Sequence, residues 1–442
     1  MKSAFTRSTL AVALLATALG ASAQAQTTDF GPDAAHVSIE TRMRVAATIK
    51  ESVATYFAHW QAVPELDFDK AFDEYVTQIA RTDDRRAFDL ATMTLIAKLG
   101  NGHTNFRDKW LSQQSGPATG LAIDVRDGQW LVINSQRASV PAGSVITSVD
   151  GEPIETFYAK HRDAIAASTE RARRGKLFNI PEFFPMQFKL GLGDGRTVTL
   201  NRKDKPGFWN EPPVPKQLPE GVYYTSIPQF GQPKFENDAI AFVQAHADAK
   251  ALIIDVRGNG GGNTPAKLLD ALIVKPYTGW AEMSAMSVGL LKTYGAFVDQ
   301  VSVKDDAEFH GFADGMQSYF RRPMLYAPGA LVRPGKPVYT GKLIVLIDQN
   351  CASACEDFVM PLRATKRATL IGDTTYGSSG QPRSIDFGNG MSMRIGAKRM
   401  LLGDDSKFEG VGIEPDLRLV TSAEQLRRGE DPALAAALAA TE

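Results

Sequence analysis

The stretch "NCASACEDF", residues 350–358, sets Ser353 among alanines and cysteines directly after the apolar run "KLIVLID". A serine that leaves a buried strand and opens a helix can act as a nucleophile. Helix N-terminal N–H groups and the positive end of the dipole favour an oxyanion there. The same position also suits an N-capping serine, and this stretch alone leaves both readings open. A second strand end, "ALIIDVRGNGGGN", carries Gly258, Gly260, Gly261 and Gly262. Asn263 stands where the dinucleotide-binding pattern needs a glycine, and no Gly-Lys-Ser/Thr follows, so a phosphate loop is not indicated. Glycines here either let backbone N–H groups approach a ligand oxygen, as an oxyanion hole requires, or make a tight structural turn.

A serine nucleophile needs a base. Among six histidines, His103 lies on the loop "GNGHTNF" that ends a helix. An imidazole titrates near neutrality and could take the serine proton, then pass it to a leaving amine. His36, His59 and His246 read as solvated or packed residues, and His161 and His310 sit in charged segments without a motif.

The elements that must position these groups follow from periodicity. Residues 26–115 hold three amphipathic helical patterns, "SIETRMRVAATIKESVATYFAHW", "DFDKAFDEYVTQIA" and "DRRAFDLATMTLIAKL". From residue 116 to 205 the period becomes two, with Asp127-Gly128 as a hairpin turn. A proline-rich stretch over 206–219 reads as an extended linker. Residues 220–442 alternate apolar strands ("ALIIDV", "KLIVLID", "ATLIG", "MSMRIG") with helices, closing on a capped helix in "GEDPALAAALAAT". That pattern predicts an α/β core with both faces of its sheet covered.

Taken together, "YYTSIPQF", "ALIIDVRGNGGG", "LIVLIDQNCASACE", "IGDTTYGSSGQ" and "FEGVGIEPDLRL" resemble the core of the C-terminal-processing (tail-specific) serine peptidases and their tricorn-core relatives. The resemblance implies a layered α/β core of crotonase/ClpP-like type, with Ser353 as nucleophile. In the tail-specific branch a lysine 25 positions after the serine is the base, and here that position is Ser378. A hydroxyl cannot replace an amine as base, so Ser378→Ala is expected to be close to neutral for the chemical step. The tricorn-like branch instead uses a histidine from before the core and a glutamate near "G-V-x-P-D". His103 and Glu409 match both, which implies a Ser/His/Glu site. Gly102 stands where that branch has a relaying serine, leaving direct contact, Thr104 or a water to join His103 to Glu409. The oxyanion hole would be the N–H of Ala354 with one from Gly260 or Gly261. Residues 116–205 look like a PDZ domain, which would take a substrate C-terminus by adding it as a strand.

The formal charge of −1 gives no reason to expect nucleic acid or an anionic membrane as partner. Residues 1–25 have the basic, apolar and small-residue layout of a secretory signal, so an exported chain without stable membrane insertion is expected. Cys351 and Cys355 are the only cysteines, and either a short disulfide or two packed thiols fits. Two cysteines without a nearby histidine do not supply a zinc set, and no cofactor is implied. Two rivals stand beside the peptidase: a non-catalytic peptide- or ligand-binding protein of the same fold, and an acyl-CoA enzyme, which export disfavours.

Overall fold

The computed structural model describes residue 30 and residues 32–204, 218–285 and 324–442. The expected leader and almost all of the expected linker lie outside the described residues. Three helices open the described chain: α1 (Ile39–Tyr56), α2 (Phe68–Ala80) and α3 (Arg85–Ala97). Ser38, Asp67 and Asp84 cap them, each accepting a backbone N–H in the first turn. Past α3, Gly100 adopts φ +58° and turns the chain into the loop that carries His103.

The core is a five-stranded, wholly parallel sheet in the order β19-β15-β14-β9-β8, formed by Leu417–Arg418, Thr369–Gly372, Lys342–Ile347, Ala251–Asp255 and Val222–Ser226. Its two central strands, β14 and β9, are almost wholly apolar because alternate residues feed two different cores. Leu252, Ile254, Val345 and Ile347 face α7 (Pro233–Ala245), α8 (Ala266–Leu272) and α9 (Ala354–Ala364). Ile253, Ile344, Leu346 and Ile371 face the C-terminal helix, where Ala433 and Ala437 are buried. β15, β14 and β9 are neighbours, so their carboxyl ends bring three loops together: those of Ser378, Ser353 and Gly260.

"MSMRIG" is a strand, β17 (Met391–Gly396), but it does not join the parallel sheet. It pairs antiparallel with β16 (Pro382–Gly388) and with β1 (Asn105–Asp108), the strand just after His103. Its burial alternates, and Met391, Met393 and Ile395 pack into the core of the N-terminal helices. One buried face is what an antiparallel strand needs. The helical region is thereby stitched to the end of the chain, with the His103 loop at the seam.

Residues 121–201 form an antiparallel sheet in the order β2 (Leu121–Arg126), β3 (Gln129–Ser135), β4 (Val145–Val149), β6 (Gln187–Leu192) and β7 (Thr197–Asn201), with β5 (Glu152–Pro153) paired to β4. The predicted hairpin joins β2 (Leu121–Arg126) to β3 (Gln129–Ser135), with Asp127 and Gly128 both at positive φ. The basic stretch "ERARRGK" forms α6 (Glu170–Lys176). Arg171 pairs with Asp124 on β2 and Asp373 at the end of β15.

Candidate functional site

Ser353 occupies a turn that few serines adopt. Its φ of 57° and ψ of −123° lie outside the regions an L-residue ordinarily occupies, at the N-cap of α9. The N–H of Ser353 donates to Ser378 O at 3.0 Å and to Glu356 Oε2 at 3.2 Å, which fixes the turn. Ala354 is the first residue of α9, so its N–H is one of the donors a helix leaves without an intrahelical partner. Gly261 has to be glycine. At φ +95°, a Cβ on it would come within 2.6 Å of Ala352 O and of Ser353 Cβ. Its own N–H donates to Asn259 Oδ1 at 2.9 Å, and its residue is buried. Of the two glycines considered, Gly260 is therefore the one whose N–H remains for an oxyanion, and it is exposed.

Ser353, His103, Gly260 and Gly261 line one cavity of about 1640 Å³. Behind His103 lies a network assembled from distant segments. His103 Nδ1 is 2.7 Å from Ser378 Oγ. Ser378 also acts on the Glu409 carboxylate, lowering its pKa against burial, while Glu409 Oε2 itself has no hydrogen-bond partner among the described residues. Glu409 Oε1 accepts from Asn101 Nδ2 and from Ser168 Oγ, each at 3.0 Å. Asn101 Oδ1 in turn accepts the His103 N–H at 3.1 Å and the Thr104 hydroxyl at 2.9 Å. Thr104 is thus engaged with Asn101 and with the Gly396 N–H, and it does not link His103 to Glu409. Ser378 is the side chain that meets His103 and also acts on Glu409.

Burial sets the protonation states. It pulls the His103 pKa down to about 4, with Arg394 and Lys176 adding to the effect. It pushes Glu409 up to about 7, against the hydrogen bonds of Ser378 and Ser168. Glu356, wholly buried, is raised by burial to about 8. Its carboxyl group accepts from Thr375 Oγ1 (2.6 Å), Gly377 N (2.6 Å) and Ser378 N (3.0 Å) as well as from Ser353 N. One side chain so ties the Ser353 turn to the loop whose Ser378 hydroxyl meets His103. His59 is a packed residue, 1% exposed, with Nδ1 3.9 Å from Glu409 Oε1, and burial lowers its pKa to about 3.

Cys351 and Cys355 form a disulfide across the Ser353 turn, with Cα atoms 5.3 Å apart. The sequence named Ser353, His103 and Glu409 as candidates; the structure sets Asn101, Ser168 and Glu356 around them, which the sequence did not single out, and Ser378, which it gave no part in the chemistry, beside His103. Asn101 stands two residues before His103 in the quoted motif, and Glu356 three residues after Ser353, so both were within reach. Ser168 carried no signal.

Residues 221–419 match the model described as Peptidase family S41. The chain is 20% identical over 355 residues to the carboxy-terminal processing protease CtpA of Bacillus subtilis (strain 168), covering 76% of this chain and 65% of that one. It is 19% identical over 378 residues to CtpB of the same organism, covering 80% and 67%. The chain thus spans about two thirds of the length of these relatives. Among solved structures, mature CPAF complexed with lactacystin is similar with a TM-score of 0.66 at 14% identity, over 91% of this chain and 97% of that one. At that identity the likeness concerns the fold alone.

Proposed function

We propose that the chain is an exported C-terminal-processing serine peptidase of the S41 kind, an endopeptidase acting on polypeptides through an acyl-enzyme at Ser353. Ser353 Oγ attacks the scissile carbonyl while His103 Nε2 takes its proton. The Nδ1–H of the imidazolium donates to Ser378 Oγ, and that hydroxyl donates onward to Glu409, which steadies the positive ring. The N–H groups of Ala354 and Gly260 hold the oxyanion. His103 then gives the proton to the leaving amine, and a water cleaves the acyl-enzyme by the same proton route. Residues 116–205 support the PDZ-like reading through their antiparallel sheet and the helix beside β2. A substrate C-terminus would have to add along β2, the outermost strand of that sheet.

The observation that carries the mechanism is a strained serine at a helix N-terminus sharing one cavity wall with a histidine whose Nδ1 is already bonded. A fluorophosphonate probe should modify wild-type protein at Ser353, as peptide mapping would show. Ser353→Ala should form no adduct, and His103→Ala should react roughly 10²–10⁴-fold more slowly. No adduct on the wild type would favour the non-catalytic binder, and an unaffected His103→Ala would remove the histidine from its role.

A further inference from the structure

Ser168 and the helix that follows it touch both the β-rich domain and the catalytic residues. Ser168 Oγ donates to Glu409 Oε1 at 3.0 Å and accepts the Gly102 N–H at 2.8 Å. It fills the space beside Gly102: a Cβ there would lie 3.3 Å from Ser168 Oγ and 3.0 Å from Tyr376 Cε1. The hydroxyl is therefore built into the wall of the base side of the site.

What holds it there is α6. Strand β2 is the edge of its sheet. Ile123 pairs with Val132, whose N–H goes to Ser144 O on the far side, so the Ile123 carbonyl faces the open edge. Gly175 of α6 lies against that carbonyl, and a Cβ on it would be 3.3 Å away. An added strand would have to sit about 4.8 Å from β2, a place the helix already occupies at Gly175. Arg171 pins the helix to both neighbours. It donates to Asp124 on β2 at 3.1 and 2.8 Å and to Asp373 at 2.7 Å, and both aspartates are buried.

We propose that Ser168 is a positioning residue for Glu409, kept on the carboxylate by a helix that occupies the β2 edge, so that the β-rich domain supports the catalytic centre instead of receiving substrate C-termini there. The inference rests on the Ser353–His103–Glu409 reading. Without the hydroxyl, Glu409 Oε1 keeps only the Asn101 donor, and the carboxylate steadies the imidazolium less well. Substrate contacts in the ground state stay as they were.

The test is the saturable reaction of Ser353 with a fluorophosphonate probe. Ser168→Ala should lower the maximal rate about tenfold, the scale of one hydrogen bond to a charged group, with the half-saturating concentration within about twofold. Ser168→Thr should restore the rate to within about threefold, since it keeps the hydroxyl. Arg171→Ala, which leaves Ser168 in place but frees the helix, should slow the reaction several-fold. Two copies of one peptide cut from denatured casein, ending in a free carboxylate or an amide, should be cleaved at rates within about threefold of each other. A wild type that reacts normally beside an unchanged Ser168→Ala would overturn this inference alone. A wild type that forms no adduct would overturn the catalytic reading beneath it. A preference of more than about tenfold for the free carboxylate would overturn the occupied edge.

Discussion

The two halves of the site are built in opposite ways. The nucleophile side is local: one strand, one strained turn and one helix N-terminus, with a glycine loop from the adjacent strand. Its working donors are backbone groups. The base side is assembled from side chains on four distant segments: Asn101 and His103, Ser168, Ser378 and Glu409. Local backbone geometry needs only the short-range sequence that specifies it. A side-chain network needs the whole tertiary structure in register first. The nucleophile turn should therefore tolerate changes elsewhere, while the base side should respond to substitutions in every domain that feeds it.

The severest break in this contrast should come at Glu356, a buried carboxyl group bonded to both sides. Glu356→Ala leaves the N–H groups of Ser353, Gly377 and Ser378 and the Thr375 hydroxyl without their acceptor in a buried space. Each such group costs about 1–3 kcal/mol when unsatisfied, and partial relaxation should hold the net loss to roughly 3 kcal/mol. A urea midpoint measures it, and probe labelling of Ser353 should fall along with it. A variant as stable and reactive as wild type would mean the two sides are held independently.

Next in size is a pH effect that belongs to the base side. His103 stays neutral down to about 4, so its own protonation is not the first event on acidification. Glu409, raised to about 7, is: below that pH it is a neutral acid and no longer steadies an imidazolium. Probe reactivity should therefore decline as pH falls through about 7, above the ordinary histidine range. Glu409→Gln should react roughly 10²-fold more slowly and lose that limb, leaving only a decline near 4. A wild-type limb at 4 with none near 7 would show that Glu409 is ionised throughout.

These effects track what the sequence made legible. Ser353 and the glycine loop could be read because "KLIVLID" and "ALIIDV" are continuous apolar strands ending in turn residues. The parallel sheet follows from the same feature. His103 and Glu409 emerged through resemblance, since nothing in their local sequence demands that they meet. What stands between them was not legible: Gly102 removed the expected relay, and the structure sets the hydroxyl of Ser378 on His103 Nδ1 instead. Strand β17 misled for a related reason. Its apolar pattern fits either sheet, and only its pairing with β1 decides.

Ser378 sharpens the contrast further, because it belongs to both sides at once. Its carbonyl accepts the Ser353 N–H and its hydroxyl meets His103 Nδ1. The expectation that Ser378→Ala is neutral gives way to a loss of about tenfold in maximal probe rate, the worth of one hydrogen bond to a charged ring. The backbone bond survives the substitution, so stability and the half-saturating concentration should barely move. A loss as large as that of Ser353→Ala would instead give Ser378 a place in the proton transfer itself.

The smallest effect should come from the disulfide, which acts on the nucleophile side alone. Cys351 and Cys355 are both wholly buried and bracket the strained serine. Intact-mass analysis of unreduced protein should show two hydrogens missing relative to the free thiols. Closing so short a loop removes little entropy from the unfolded chain, about 2 kcal/mol on the chain-entropy model. The double variant Cys351→Ala, Cys355→Ala should lose about that much. Its turn is still held by the Ser353 N–H bonds to Ser378 O and Glu356 Oε2, so Ser353 reactivity should fall only several-fold. The base side should not feel the change, and the decline near pH 7 should stay where it is. A shift of that limb in the double variant would show that the two sides are coupled through the turn, and two freely alkylated thiols in natively isolated protein would remove the bond from the site altogether.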